Sequence, residues 1–118
     1  MKTLVLGASL KPHRFSHKAV AKLASKGYEV VAFGLNEGEI NGVTIDTKLK
    51  EYNDIHTVTL YMNPNRQPDF YEYILSLQPE RVIFNPGTEN PDFCKMLQEK
   101  EIKCEVACTL VMLASNQY

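Results

Sequence analysis

The chain has 118 residues, 13 Lys and Arg against 14 Asp and Glu, a formal net charge of −1, and 44% hydrophobic and 23% charged residues. That length and composition suit one domain over residues 1–118, of the ordinary soluble globular kind. The near-neutral balance excludes a global basic field for nucleic acid or anionic membrane, and no apolar stretch approaches the roughly 18 residues that span a bilayer.

The first element begins within three residues of Met1, which leaves no room for a signal peptide and makes a cytoplasmic location the expectation. Leu4 to Ala8 is a short continuous apolar run, the pattern of a strand covered on both faces. Ser16 reads as the N-cap of a helix, because Val20, Leu23 and Ala24 follow at helical spacing and Lys26-Gly27 ends it. Glu29 to Phe33 is a second buried strand, so the first thirty-odd residues form a strand-helix-strand unit with parallel strands. A polar loop spans Gly34 to Gly42, Val43-Thr44-Ile45 suits a short edge strand, and Lys48 to Tyr52 reads as one helical turn. Ile55 to Tyr61 is the next strand. Asn63-Pro64 then starts a helix, with Pro68 in its opening turns and Phe70, Ile74 and Leu77 as its buried face. Arg81 to Phe84 is a strand, Asn85-Pro86-Gly87-Thr88 a turn, and Pro91 to Lys100 a helix presenting Phe93, Met96 and Leu97. Glu105 to Ala107 closes the sheet and Thr109 to Ser115 forms a last short helix.

Strands and helices alternate throughout. The expected fold is therefore α/β: a three-layer, Rossmann-like, doubly wound parallel sheet of about five strands in the order 3-2-1-4-5. Cys94, Cys104 and Cys108 are odd in number and lack zinc or redox spacing, so they read as buried reduced thiols. His13 and His17 have no third ligand nearby, and no metal is expected.

In such sheets the ligand sits beyond the carboxyl ends of the strands, which places the turn from Gly7 to Ser16 on the rim of the crevice. Free N–H groups and the helix dipole favour an anion there. Gly7 permits a close turn, Ser9 and Ser16 offer hydroxyls, Arg14 can fork onto two phosphate oxygens, and Lys11 adds a charge. The loop points to phosphate held by side chains as well as by backbone. Strand two ends Phe33-Gly34-Leu35-Asn36, without the acid that holds a ribose 2′-hydroxyl in NAD enzymes. Tyr61, ending its strand, serves equally as a stacking surface for adenine or as a core residue.

These residues resemble the small stand-alone CoA-binding proteins, whose fold is shared with the nucleotide-binding domain of the succinyl-CoA synthetase α subunit. The likeness covers nearly the whole chain. It is carried by Gly7-Ala8-Ser9, Pro12, Arg14 and Ser16, then Gly27-Tyr28, Ile40-x-Gly42 and Cys108. The resemblance implies a CoA site with Ser9, Arg14 and Ser16 at the pyrophosphate, and Ala8, Pro12, Gly34, Asn36 and Tyr61 among the residues around the cofactor. Where the family commonly has Asn-Pro-Lys after strand two, this chain has Gly34-Leu35-Asn36, and a second family loop appears as Asn85 to Asn90.

No nucleophile with a base, and no acid and base pair, stands out, so no catalytic residue is assigned. Cys108 reads as a structural thiol, and Asn85 and Glu89 as the crevice rim. The first reading is a non-catalytic CoA or acyl-CoA binding protein. An NAD(P)-type nucleotide binder and a ligand-less protein-interaction domain are its alternatives, the latter with Tyr71 and Tyr73 at its interface; the partner expected first is a small-molecule nucleotide, with a homo-oligomer or another protein left open.

Overall fold

The computed structural model describes residues 1–118. Seven strands and four α-helices alternate: β1 (Lys2–Ala8), α1 (Phe15–Ser25), β2 (Glu29–Gly34), β3 (Gly38–Ile40), β4 (Val43–Asp46), β5 (Ile55–Leu60), α2 (Tyr71–Leu77), β6 (Arg81–Phe84), α3 (Pro91–Glu99), β7 (Lys103–Val106) and α4 (Thr109–Ala114). A 3-10 turn over Gln67–Phe70 leads into α2. The strands form one sheet in the order β3-β4-β2-β1-β5-β6-β7. All neighbours pair in parallel except β3 with β4.

The expected doubly wound order is present, with seven strands rather than about five. The unforeseen strand is β3, while β4 and β7 answer to the strands expected at Val43–Ile45 and Glu105–Ala107. Gly38-Glu39-Ile40 is too short and too polar to announce a strand, and it becomes one only by pairing antiparallel with β4, Glu39 opposite Thr44. At the other edge β7 joins β6, Cys104 opposite Val82.

The apolar run of β1 divides between two cores, as alternate side chains of a strand must. Leu4 and Leu6 pack with Val58, Leu60, Ile74, Phe84, Phe93 and Leu97 under α2 and α3. Val5 and Ala8 pack with Val20, Leu23, Ala32 and Leu113 under α1 and α4. The chain after β1 therefore leaves toward one face and the chain after β5 toward the other, although these strands are adjacent. No helix is long and apolar enough to cross a membrane.

Four local expectations need correction. Arg14, not Ser16, is the N-cap of α1; Phe15 already has helical geometry, so Ser16 falls inside the first turn. Lys48 to Tyr52 forms no helix. It is an irregular segment pinned by Tyr73, whose hydroxyl donates to the Lys50 carbonyl at 2.6 Å. Asn63-Pro64 opens a turn rather than a helix: the Asn63 side chain accepts from the Arg66 N–H at 3.2 Å before the 3-10 turn begins. Cys94 and Cys104 are joined in a disulfide between α3 and β7, their Cα atoms 5.6 Å apart, and only Cys108 is free. Tyr71, half-buried, stacks on Phe93 at 4.1 Å and accepts from Asn90 at 2.8 Å.

Candidate functional site

The end of β1 sets the geometry of the site. Gly7 has φ +103°, and a Cβ there would lie 3.0 Å from the Tyr61 carbonyl carbon and 3.1 Å from its oxygen. Beside it, a Cβ on Gly34 would come 2.2 Å from the Ala8 carbonyl oxygen. Three chain segments thus converge more closely than any side chain permits. The β1–β2 register shifts between Leu6 and Ala8, where β1 turns away. Above these glycines the diverging loops leave a groove of about 570 Å³, within the range of small-molecule sites.

Its walls come from four loops. The β1–α1 loop contributes Gly7 to Lys11 and Arg14 to Ser16; the end of β2 contributes Phe33 to Asn36; the turn after β5 contributes Tyr61, Met62, Asn63 and Arg66; the turn after β6 contributes Pro86, Gly87 and Thr88. Of the residues singled out from sequence, Gly7, Ala8, Ser9, Arg14, Ser16, Gly34, Asn36 and Tyr61 meet at this groove. Pro12 does not line it, and is exposed.

The β1–α1 loop is held by its own polar groups. The Ser9 hydroxyl accepts from the Lys11 N–H at 3.1 Å, and His17 Nδ1 lies 3.0 Å from the Ser9 carbonyl. At the start of α1 no side chain caps the helix and no acid occupies its first turn. The leading N–H groups of a helix have no partner within it, and Phe15 and buried Ser16, which carry such donors, line the groove. Lys11, Arg14 and Arg66 line the groove and no Asp or Glu does, although the chain carries a formal charge of −1. A larger depression of about 690 Å³ lies at the opposite edge of the sheet, but Glu72, Glu80 and Glu101 outnumber Lys100 there. That lining repels phosphate.

The far wall stands on a buried polar network. Asn85, placed on the rim by sequence reasoning, is instead sealed beneath it with 1% of its surface exposed. Its amide donates to Thr59 Oγ1 at 2.7 Å and to the Leu60 carbonyl at 2.8 Å, and its oxygen accepts from the Thr109 N–H at 2.9 Å. Glu89 also serves structure, its carboxylate accepting from the Gly87 N–H at 2.9 Å. Gln67 ties the turns together by donating to the Met62 and Thr88 carbonyls.

Tyr61 lines the groove and packs against the core under α1. Burial pushes its phenol above the ordinary tyrosine range, and its hydroxyl has no hydrogen-bond partner. His13, His17 and Cys108 do not line the groove, and no cluster of three or more His, Cys, Asp or Glu gathers anywhere. Sequence reasoning missed Arg66 and Met62, and it placed the Asn85–Asn90 loop at the crevice without singling out Pro86, Gly87 and Thr88 as its lining. The available signal was position: Arg66 and Pro86 to Thr88 follow the carboxyl ends of β5 and β6.

A family model described as a CoA binding domain matches residues 1–114. A crystal structure of an uncharacterized protein is 44% identical, with a TM-score of 0.95 and coverage of 99% of this chain and 97% of that one. A protein from Thermus thermophilus, 25% identical, superposes with a TM-score of 0.85 over 99% of this chain and 90% of its own. A hypothetical protein from Pyrococcus horikoshii, 21% identical, reaches 0.84 over 98% and 82% and shares the fold. No curated protein matches the chain.

Proposed function

The chain belongs to the CoA binding domain family, and from that premise we propose that it binds CoA or acyl-CoA with the pyrophosphate at the start of α1 and performs no chemistry on it there. What supports this most is the uncapped start of α1, open to a groove that has three cations and no carboxylate. Backbone amides at a helix start and a guanidinium are donors suited to phosphate oxygens. Ser9 and Ser16 add hydroxyls, and Phe33, Leu35 and Phe15 offer apolar surface for the less polar parts of the ligand. The lining holds no His, Cys, Asp or Glu, so it stabilises negative charge but has no paired acid and base to move a proton.

Titration calorimetry tests the reading. Wild type should bind CoA. Arg14→Ala should bind about 10- to 150-fold more weakly, the loss of one charge-assisted contact. Arg14→Lys should recover part of the affinity, keeping the charge but not the fork. NAD, NADP and ATP should bind more weakly than CoA. A wild type that ignores CoA refutes the ligand, and an Arg14→Ala variant as tight as wild type refutes the site.

A further inference from the structure

β7 is fastened differently from the other strands. Each of the other six has at least one buried residue, and β7, Lys103–Val106, has none. It lies at the edge of the sheet with β6 as its one partner. The bond from Cys104 to Cys94 ties it covalently to α3. Neither cysteine is buried, as attack by a thiolate on one of the sulfurs requires. Both ends of the bond lead to the far wall of the groove. On the α3 side, the Cys94 N–H donates to the Asn90 carbonyl at 2.9 Å. The Asn90 amide donates to Gln67 Oε1 at 2.9 Å, and Gln67 holds the Met62 and Thr88 carbonyls at 3.0 and 2.8 Å. On the β7 side, the chain runs on to Thr109, whose N–H donates to Asn85 Oδ1 at 2.9 Å, directly before Pro86. Met62, Pro86 and Thr88 line the groove. The wall is thus hung between the starts of α3 and α4, and the disulfide joins the segments that carry them.

We infer that the Cys94–Cys104 disulfide is a redox latch on the groove. Closed, it holds β7 and the start of α4 in place, and the far wall with them. Opened by a dithiol reductant, it frees β7 and lowers the affinity for the ligand. This rests on the CoA reading above and adds the regulation of that site. In the opening step one thiolate of the dithiol attacks a sulfur of the bond, and the other cysteine leaves as a thiolate. The second thiol of the reductant then attacks the mixed disulfide and releases the first cysteine. The Cys94–Cys104 bond is reduced by two electrons, a new S–S bond forms within the reductant, and the reductant's two protons end on the cysteines.

Acetyl-CoA is the probe, because CoA would bring a thiol of its own. Calorimetric titration compares oxidised wild type, wild type reduced with dithiothreitol, the same protein reoxidised, and Cys94→Ser/Cys104→Ser. Oxidised wild type should bind. Reduction should weaken binding at least about fivefold, the lower end of common couplings between sites, and reoxidation should restore it. The double variant should bind like reduced wild type whether or not dithiothreitol is present. Hydrogen exchange should show the amides of residues 103–109 opening on reduction while those of β1 are still protected. Equal affinity of oxidised and reduced protein would overturn the inference and leave the CoA reading intact, as would unchanged exchange over residues 103–109. Circular dichroism showing reduced protein unfolded at the titration temperature would also overturn it, since the bond would then staple the whole fold. Failure of oxidised wild type to bind acetyl-CoA would remove the CoA reading and this inference with it.

Discussion

Replacing Asn85 with Ala should cost the protein about 3 kcal/mol. The side chain makes three hydrogen bonds of 2.7–2.9 Å in a site with 1% exposure, to Thr59, to the Leu60 carbonyl and from the Thr109 N–H. Thr59 would keep a partner, because its hydroxyl also meets that of Thr109 at 2.8 Å. The Thr109 N–H would not: it opens α4, where no intrahelical carbonyl is available, and sealing such a donor unpaired costs about 1–3 kcal/mol. Adding about 1 kcal/mol for the lost bond to Leu60 gives the figure above. With an unfolding entropy of about 2.1 cal/mol/K per residue, a chain of this length should melt about 12 °C lower. Circular dichroism melts at pH 7 measure this, and urea unfolding should show a lower midpoint with an unchanged slope. The Pro86–Thr88 turn should survive locally, since Thr88 bonds to the Asn85 backbone carbonyl, not to its side chain. A melting shift under about 3 °C would refute the view that this network anchors the far wall.

Gly7→Ala should lose about 1–2 kcal/mol from its positive φ alone and more from contact with the Tyr61 backbone, and should weaken CoA binding at least tenfold. Melting and calorimetry together check it, and wild-type values in both would show that the close approach is dispensable. Cys94→Ser should cost about 2–3 kcal/mol, as expected for a closed loop with a sequence separation of 10. Thiol titration of unreduced, denatured protein should find one reactive cysteine, and three would contradict the disulfide. Burial pushes the Asp46 carboxyl up, but the Tyr52 hydroxyl and the Lys50 ammonium outweigh it and hold Asp46 below its ordinary 3.8. A depressed folded-state pKa contributes stability that is complete above about pH 4 and is lost as pH falls through the folded value. Acid unfolding curves of Tyr52→Phe should therefore be flatter below pH 4 than those of wild type, and identical slopes would remove Tyr52 from the account.

The central sheet was legible because buried parallel strands read as short apolar runs, as β1, β2 and β6 do, and β5 carries Ile55, Val58 and Leu60 among β-branched threonines. The β3 edge was not. Gly38-Glu39-Ile40 has no apolar pattern of its own, and its strand exists through pairing with β4. The start of α1 was misplaced because a serine that can cap does so only if the helix begins after it, and here Phe15 is already helical. The site divides in the same way. Gly7 to Ser16 lies on one contiguous turn, so its chemistry could be read in line. Arg66 and Pro86 to Thr88 arrive from loops 50 to 80 residues away, and only the order of strands brings them together. Pro12, in the same loop, is exposed and does not line the groove. The disulfide was hidden for a related reason: ten residues separate Cys94 from Cys104, and nothing in that spacing says that α3 and the edge strand lie side by side.

The groove and its support divide the polar work between them. Asn85, Gln67 and Thr109 have their hydrogen-bonding capacity consumed inside the chain, and they are buried. Arg14, Lys11 and Arg66 are exposed and unpaired, as are the leading amides of α1. Had an acid stood in the first turn of α1, it would have satisfied those amides and repelled phosphate at the same time. Its absence leaves a stability cost, since an unfilled cap forgoes about 1 kcal/mol. An anion at the groove would return that energy as binding, together with the three cations' missing counter-charge. The same feature that weakens the isolated helix therefore makes the groove a receptor for negative charge, and the glycines beneath it let that charge approach the backbone directly.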